Sequence, residues 1–121
     1  MAEFRTINGT HDLLPDELSN WRRIENTIHS IMEQYGYGEI KTPVFESTKL
    51  FVRGIGNDTD IVNKEMYSWT DQGGNALTLK PELTAPVVRA YLQHQLGNKN
   101  PIQRLWYFDS LFRRERPQKG R

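Results

Sequence analysis

The chain has 121 residues, 16 basic and 15 acidic, a formal net charge of +1 and no cysteine. Hydrophobic residues make up 36% and charged residues 26%, lean but globular, and one domain of this length should bury about 65% of its unfolded surface. A disulfide scaffold and a thiolate metal site are excluded, no apolar run approaches the roughly 18 residues of a membrane span, and the opening MAEFRTINGT has no signal-peptide core.

The first strong signal is a helix from about Asp16 to Tyr35. Leu18, Trp21, Ile24, Ile28, Ile31, Met32 and Tyr35 recur at helical spacing. Asp16, after Pro15, is placed to cap the first turn, and Gly36 and Gly38 end the helix. Twenty residues span about 30 Å, long for a small domain, so the apolar face packs on the chain's own sheet or on a partner. EIKTPVFE follows as a short strand ending at Pro43, which lacks a donor N–H. Lys49 to Lys64 holds Gly54, Gly56, Asn57, Asp58 and Asp60 and reads as a loop. Met66–Thr70 and Ala76–Lys80 flank a glycine-bearing turn, Asp71 to Asn75, and form a hairpin.

A second helix starts near Thr84, with Pro86 tolerated in its first turn. Leu83, Val87, Ala90, Tyr91 and His94 share a side, and Leu96-Gly97 ends it. Gln103 to Arg116 reads as a strand rich in aromatic and branched residues. Pro117 to Arg121 reads as a loop expected to move when nothing is bound. A strand feeding a basic loop should be followed by a further element, so Arg121 reads as a cut and not a natural end. No internal repeat or low-complexity stretch is present. The expected fold is α+β, an antiparallel sheet with flanking helices.

The near-zero charge hides an asymmetry. Arg104 to Arg121 holds six basic and two acidic residues, net +4, and the first 103 residues are net −3. A phosphate-rich ligand would go to the tail; on charge alone, a solvated run at a terminus is the simpler account. Alternation along a strand puts Arg113 and Glu115 on one face, Arg114 and Arg116 on the other. Arg113 can fork onto a phosphate or carboxylate. The plain alternative is an Arg–Glu pair on a wet sheet face. Glu82 can serve as counter-ion to an ammonium, but the residues alone favour a helix-start carboxylate stabilised by the dipole. His11, His29 and His94 are isolated, so no metal site is expected.

The string FRRERPQKGR (Phe112 to Arg121) resembles motif 2 of class II aminoacyl-tRNA synthetases, in its histidyl version. NGTHDLLP (Asn8 to Pro15) is similar to that family's opening, where arginine more often precedes the glycine. The long helix with EIKTPVFE, about residues 16–46, resembles motif 1, with Pro43 as its hallmark proline. Leu50 to Asp71 is similar to the segment that follows. LTLKPELTAPVVRAY, residues 77–91, resembles the histidine-binding strand and helix, with Lys80 where arginine is common; residues 103–121 correspond to the first strand and loop of motif 2. The likeness runs co-linearly through the whole chain.

The resemblance implies a partial class II catalytic domain over residues 1–121. Its parent would join ATP and histidine into histidyl-adenylate, then transfer histidine to the 3′ end of tRNA(His). Arg113 would be catalytic, holding the α-phosphate and the histidine carboxylate. Glu82, Leu83 and Thr84 would bind the α-amino group. Glu115 would meet the adenine and Arg121 the terminal phosphate. Arg116, Gln118 and Lys119 would approach the tRNA acceptor end. ATP would arrive with Mg²⁺ as a substrate complex, with no permanently bound cofactor. A cytoplasmic homodimer built on the motif 1 helix and strand, with no membrane contact, is implied as well. The family's motif 2 return strand, later catalytic arginine, motif 3 and anticodon-binding domain have no counterpart in these 121 residues. The chain is therefore expected to hold half an active site and to have little or no activity alone. Two other readings stand beside this one. The first is the non-catalytic paralogue that regulates ATP phosphoribosyltransferase, against which the basic ERPQKGR loop argues. The second is a plain dimerisation module.

Overall fold

The computed structural model describes residues 3–55 and 65–114. They fall into two compact units, one ending at Tyr37 and the other beginning at Gly38. Glu115 to Arg121 lie outside the described residues, so the expectations for Glu115, Arg116, Gln118, Lys119 and Arg121, and for a mobile loop, fall there.

The first unit is dominated by α1, Pro15–Gln34. Pro15 takes the first helical position, where its missing N–H costs nothing. Leu14 occupies the N-cap place and no side chain caps the helix. The expected Asp16 cap is thus corrected: the helix starts one residue earlier, so Asp16 and Glu17 lie in its first turn and favour it through the dipole. At the far end the Gly36 N–H donates to the Glu33 carbonyl and the Tyr37 N–H to Met32. Gly36 sits at φ +76°, so the stop is a Schellman motif that needs glycine. Trp21, Ile24 and Ile31 remain exposed.

In the second unit the expected strand EIKTPVFE divides into two. β1 is Gly38–Glu39 and β2 is Phe45–Ser47. Pro43, with no N–H to donate, lies in the break, and the halves join different sheets. β1 pairs in parallel with β5, Leu105–Trp106. β2 pairs antiparallel with β4, Ala76–Leu79, whose other edge takes β3, Ser68–Thr70. The β3–β4 hairpin matches expectation, and its turn is closed locally. The Asp71 N–H donates to the Asn75 carbonyl, and the Asp71 carboxylate accepts from the Asn75 N–H at 2.8 Å and its side-chain amide at 3.1 Å.

The segment read as a loop from Lys49 begins as a helix, α2, Thr48–Ile55. Its glycines and asparagine cluster only from Gly54 onward, so the apolar LFV stretch is free to coil inward. Phe51 is fully buried there, and Met66, Ala90 and Trp106 are buried as well. α2 touches β4 and also α3, Thr84–Gln93. The α3 helix ends earlier than Leu96-Gly97: Gln95 turns left-handed at φ 52°, and Leu96–Lys99 forms a one-turn helix, α4.

Registers Glu46↔Thr78 and Ser68↔Thr78 place these residues on one sheet face. The Thr78 hydroxyl, completely buried, bonds to the hydroxyls of Thr48 (2.7 Å) and Ser68 (2.8 Å). Glu46 receives the Nε and Nη2 of Arg89 from α3 at 3.1 and 2.9 Å. The helices therefore cover this face. The opposite face carries Phe45 and Trp69, edge to face at 5.7 Å between centroids. The architecture is α+β with an antiparallel sheet, as expected. Among the described residues no helix is long and apolar enough to cross a membrane.

Candidate active site

The chain from Lys80 to Thr84 leaves β4 and enters α3. Pro81 is fully buried, and a proline here both fixes φ and donates nothing to the ladder. Glu82 then turns its carboxylate onto the start of α3. Its Oε2 accepts from the Thr84 N–H at 2.6 Å, and its Oε1 accepts from the Ala85 N–H at 2.9 Å. This is the helix-start role open to any such carboxylate; its two oxygens carry about four lone-pair sites, so an ammonium can still approach. Leu83 is the N-cap residue of α3, with no side-chain capping bond. The exposed Thr84 hydroxyl lies 3.2 Å from the Tyr107 hydroxyl.

The expected long strand from Gln103 to Arg116 is regular only over Leu105–Trp106. Arg113 accordingly lies not on a strand but on a segment fixed by backbone bonds to either side. The Phe112 N–H donates to the Lys80 carbonyl at 3.0 Å and the Arg114 N–H to the Glu65 carbonyl at 2.8 Å. These acceptors lie outside the β3 and β4 ladder, which is why no regular strand forms. Arg113 is half-buried, and its Nε donates to the Pro81 carbonyl at 2.8 Å. Arg114 points its guanidinium over the Tyr67 ring, 5.8 Å from the centroid.

Two segments 32 residues apart thus meet at one point: Arg113 rests on the residue immediately before Glu82-Leu83-Thr84. Of the expected site residues within the described chain, all four are brought together. Reading the sequence for function noted Lys80 only as standing where arginine is common, and missed Asp109 and Tyr107 as parts of this region. Lys80 is 1% exposed, and its ammonium donates to Asp109 Oδ2 at 2.7 Å and to the Thr42 carbonyl at 3.3 Å. A lysine closing the stretch LTLK, immediately before Pro81, was the available signal. Burial pushes the Asp109 carboxyl up, but the Lys80 hydrogen bond, the Ser110 N–H and the charges of Lys80 and Lys41 outweigh it and hold it below the usual carboxylate value. Among the described residues no cluster of three metal-ligating side chains occurs.

An anchored guanidinium beside a helix start offers donors to carboxylate and phosphate from fixed positions. Solved structures that superpose on this fold include aminoacyl-tRNA synthetases. The apo histidyl-tRNA synthetase of S. aureus superposes with a TM-score of 0.75 at 41% identity, over 91% of this chain and 29% of that one. A Bacillus halodurans protein described as an ATP phosphoribosyltransferase regulatory subunit/histidyl-tRNA synthetase gives 0.77 at 26% identity, over 93% of this chain and 28% of that one. A sequence model of the histidyl-tRNA synthetase family matches residues 9–121, and the chain belongs to that family. The histidine–tRNA ligase of Chloroherpeton thalassium is 54% identical over 98% of this chain, and that of a Staphylococcus epidermidis strain 54% over 93%. The chain spans 28% of the length of the first of these relatives and 27% of the second.

Proposed function

We propose that the chain is part of the catalytic domain of a histidine–tRNA ligase, carrying motif 1, the histidine-binding segment and the first half of motif 2. The observation that supports this best is the bond from Arg113 Nε to the Pro81 carbonyl. It seats the arginine of one segment against the amino-acid-binding residues of the other. Adenylate formation brings the histidine carboxylate onto the α-phosphorus of ATP, and pyrophosphate leaves. Two anions must meet while charge builds on the phosphate. Such a step needs fixed cations and positioning more than a general base. Arg113 serves both anions from one planar group. Glu82 faces the substrate ammonium while it holds the start of α3, and Leu83 and Thr84 complete that contact. Glu115 and Arg121 act on adenine and the terminal phosphate; Arg116, Gln118 and Lys119 face the tRNA end. Mg²⁺ enters with ATP and neutralises phosphate charge.

The parent works in the cytoplasm as a homodimer. The exposed Trp21, Ile24 and Ile31 of α1 support a helix that seeks a partner, and two-fold association is the commonest geometry. A second reading, as a regulatory subunit, draws on the description of the Bacillus halodurans protein. The relatives above 50% identity are named as ligases and favour the first. The deciding experiment is histidine-dependent exchange of pyrophosphate into ATP, followed by charging of tRNA(His), with the full-length protein. A ligase does both. A protein that binds histidine yet does neither is the regulatory subunit.

A further inference from the structure

Lys80 is a costly residue for its place. A fully buried ammonium gives up its hydration, and its carboxylate partner Asp109 keeps 27% of its side chain exposed. Apolar replacements of buried pairs are commonly as stable or more so, so packing alone does not account for it. Its bonds show what it does accomplish. The Lys80 N–H donates to the Val44 carbonyl at 3.0 Å, its carbonyl accepts from the Phe112 N–H at 3.0 Å, and its ammonium reaches Thr42 and Asp109. One residue therefore ties the chain on both sides of Pro43 to the segment running from Asp109 to Phe112. Lys80, Pro81, Arg113 and Phe112 then close a ring: two covalent links, the Phe112–Lys80 bond and the Arg113–Pro81 bond. Pro81 has a fixed φ, which leaves one torsion fewer between Lys80 and the Pro81 carbonyl.

We propose that Lys80 is a positioning residue for Arg113, its buried ammonium fixing through Thr42 and Asp109 the Pro81 carbonyl on which the guanidinium rests. The proposal rests on the role given to Arg113 above. Displacement of a catalytic group by about 1 Å can cost on the order of a hundredfold in rate.

The test is pyrophosphate exchange with the full-length ligase. Lys80→Met and Asp109→Asn should each lower kcat by roughly ten- to a hundredfold, with KM for histidine and ATP near the unmodified values. Lys80→Arg, which keeps the charge, should recover most of the rate. Combined with Arg113→Lys, Lys80→Met should remove little more, since the group it steadies is gone. A full, multiplicative loss in that background overturns the proposal, as does a loss that follows the melting temperature. If Lys80→Met does not fold, Asp109→Asn decides: normal exchange overturns the proposal, and a loss that vanishes in the Arg113→Lys background supports it. Should Arg113→Lys itself leave exchange intact, the assignment of Arg113 falls first and this proposal falls with it.

Discussion

The turn from Asp71 to Asn75 and the junction at Lys80 are both built from a carboxylate and its donors, and they are opposites in every other respect. In the turn, donor and acceptor are four residues apart and exposed. At the junction, Lys80 reaches 29 residues to Asp109 and 38 to Thr42, out of contact with water. The turn needs only its own five residues. The junction exists only when three separate segments have already arrived. The candidate active site is of the second kind, and nothing local would rebuild it after one of its partners is lost.

The largest effect should come from the non-local side. Phe51→Ala removes the fully buried aromatic of α2 and should destabilise the chain by about 3–5 kcal/mol, read by denaturant unfolding. A cost under about 1 kcal/mol would mean that α2 is not part of the core. Next is Arg113→Lys in the full-length enzyme. Loss of one preorganised donor should raise the adenylation barrier by about 3 kcal/mol, on the order of a hundredfold in exchange rate. Because Nε also holds Pro81, melting should register a further cost of about 1 kcal/mol. Unfolding that accounts for the whole rate loss would reduce Arg113 to a structural residue.

On the local side, Gly74 sits at φ +82° with open space where a Cβ would go. Gly74→Ala should cost about 1 kcal/mol from backbone strain alone, and leave adenylation by the full-length enzyme unchanged. An activity loss there would show that the hairpin turn and the site are coupled after all. The smallest effect is a pH dependence. The Asn75 N–H, followed by the Asn75 side-chain amide, holds the Asp71 carboxyl below its usual value. A carboxylate with a depressed folded pKa contributes stability above its unfolded value, about pH 4, and loses it as pH falls through the lower folded value. Asp71→Asn should flatten the acid side of the stability curve slightly, and salt should shrink the difference. Asp109 has the same sign through the same window, so Asp109→Asn serves as the half-buried comparison.

The same division explains what could be read from the residues. The α1 helix, the hairpin and the start of α3 announce themselves through periodicity, glycines and proline within a few positions. The α2 helix was hidden because a run of Gly, Asn and Asp close behind it outweighed eight residues of helical pattern. The split at Pro43 followed from proline chemistry, yet the pairing of its two halves with different strands depends on residues up to 67 positions distant. Arg113 was legible as a chemical group from FRRE. Its resting place on Pro81 was not, because no pattern along the chain encodes a contact between a side chain and a distant carbonyl. Lys80 was visible only as a lysine where arginine is common, and its task emerges only from the three segments it joins.

The parallel pairing of Gly38 with Leu105 carries a cost in time. A ribosome adds about 5–20 residues each second, so β1 emerges roughly 3–13 seconds before β5 can meet it. Over that interval Gly38, Glu39 and Ile40 present unpaired backbone to whatever is nearby, including the same segment of another nascent chain. Hairpin β3–β4 forms within microseconds of its synthesis, whereas the sheet containing β1 must wait until Trp106 has been made. Slowing translation between residues 40 and 105 would therefore lengthen the exposure of one strand and leave the hairpin untouched.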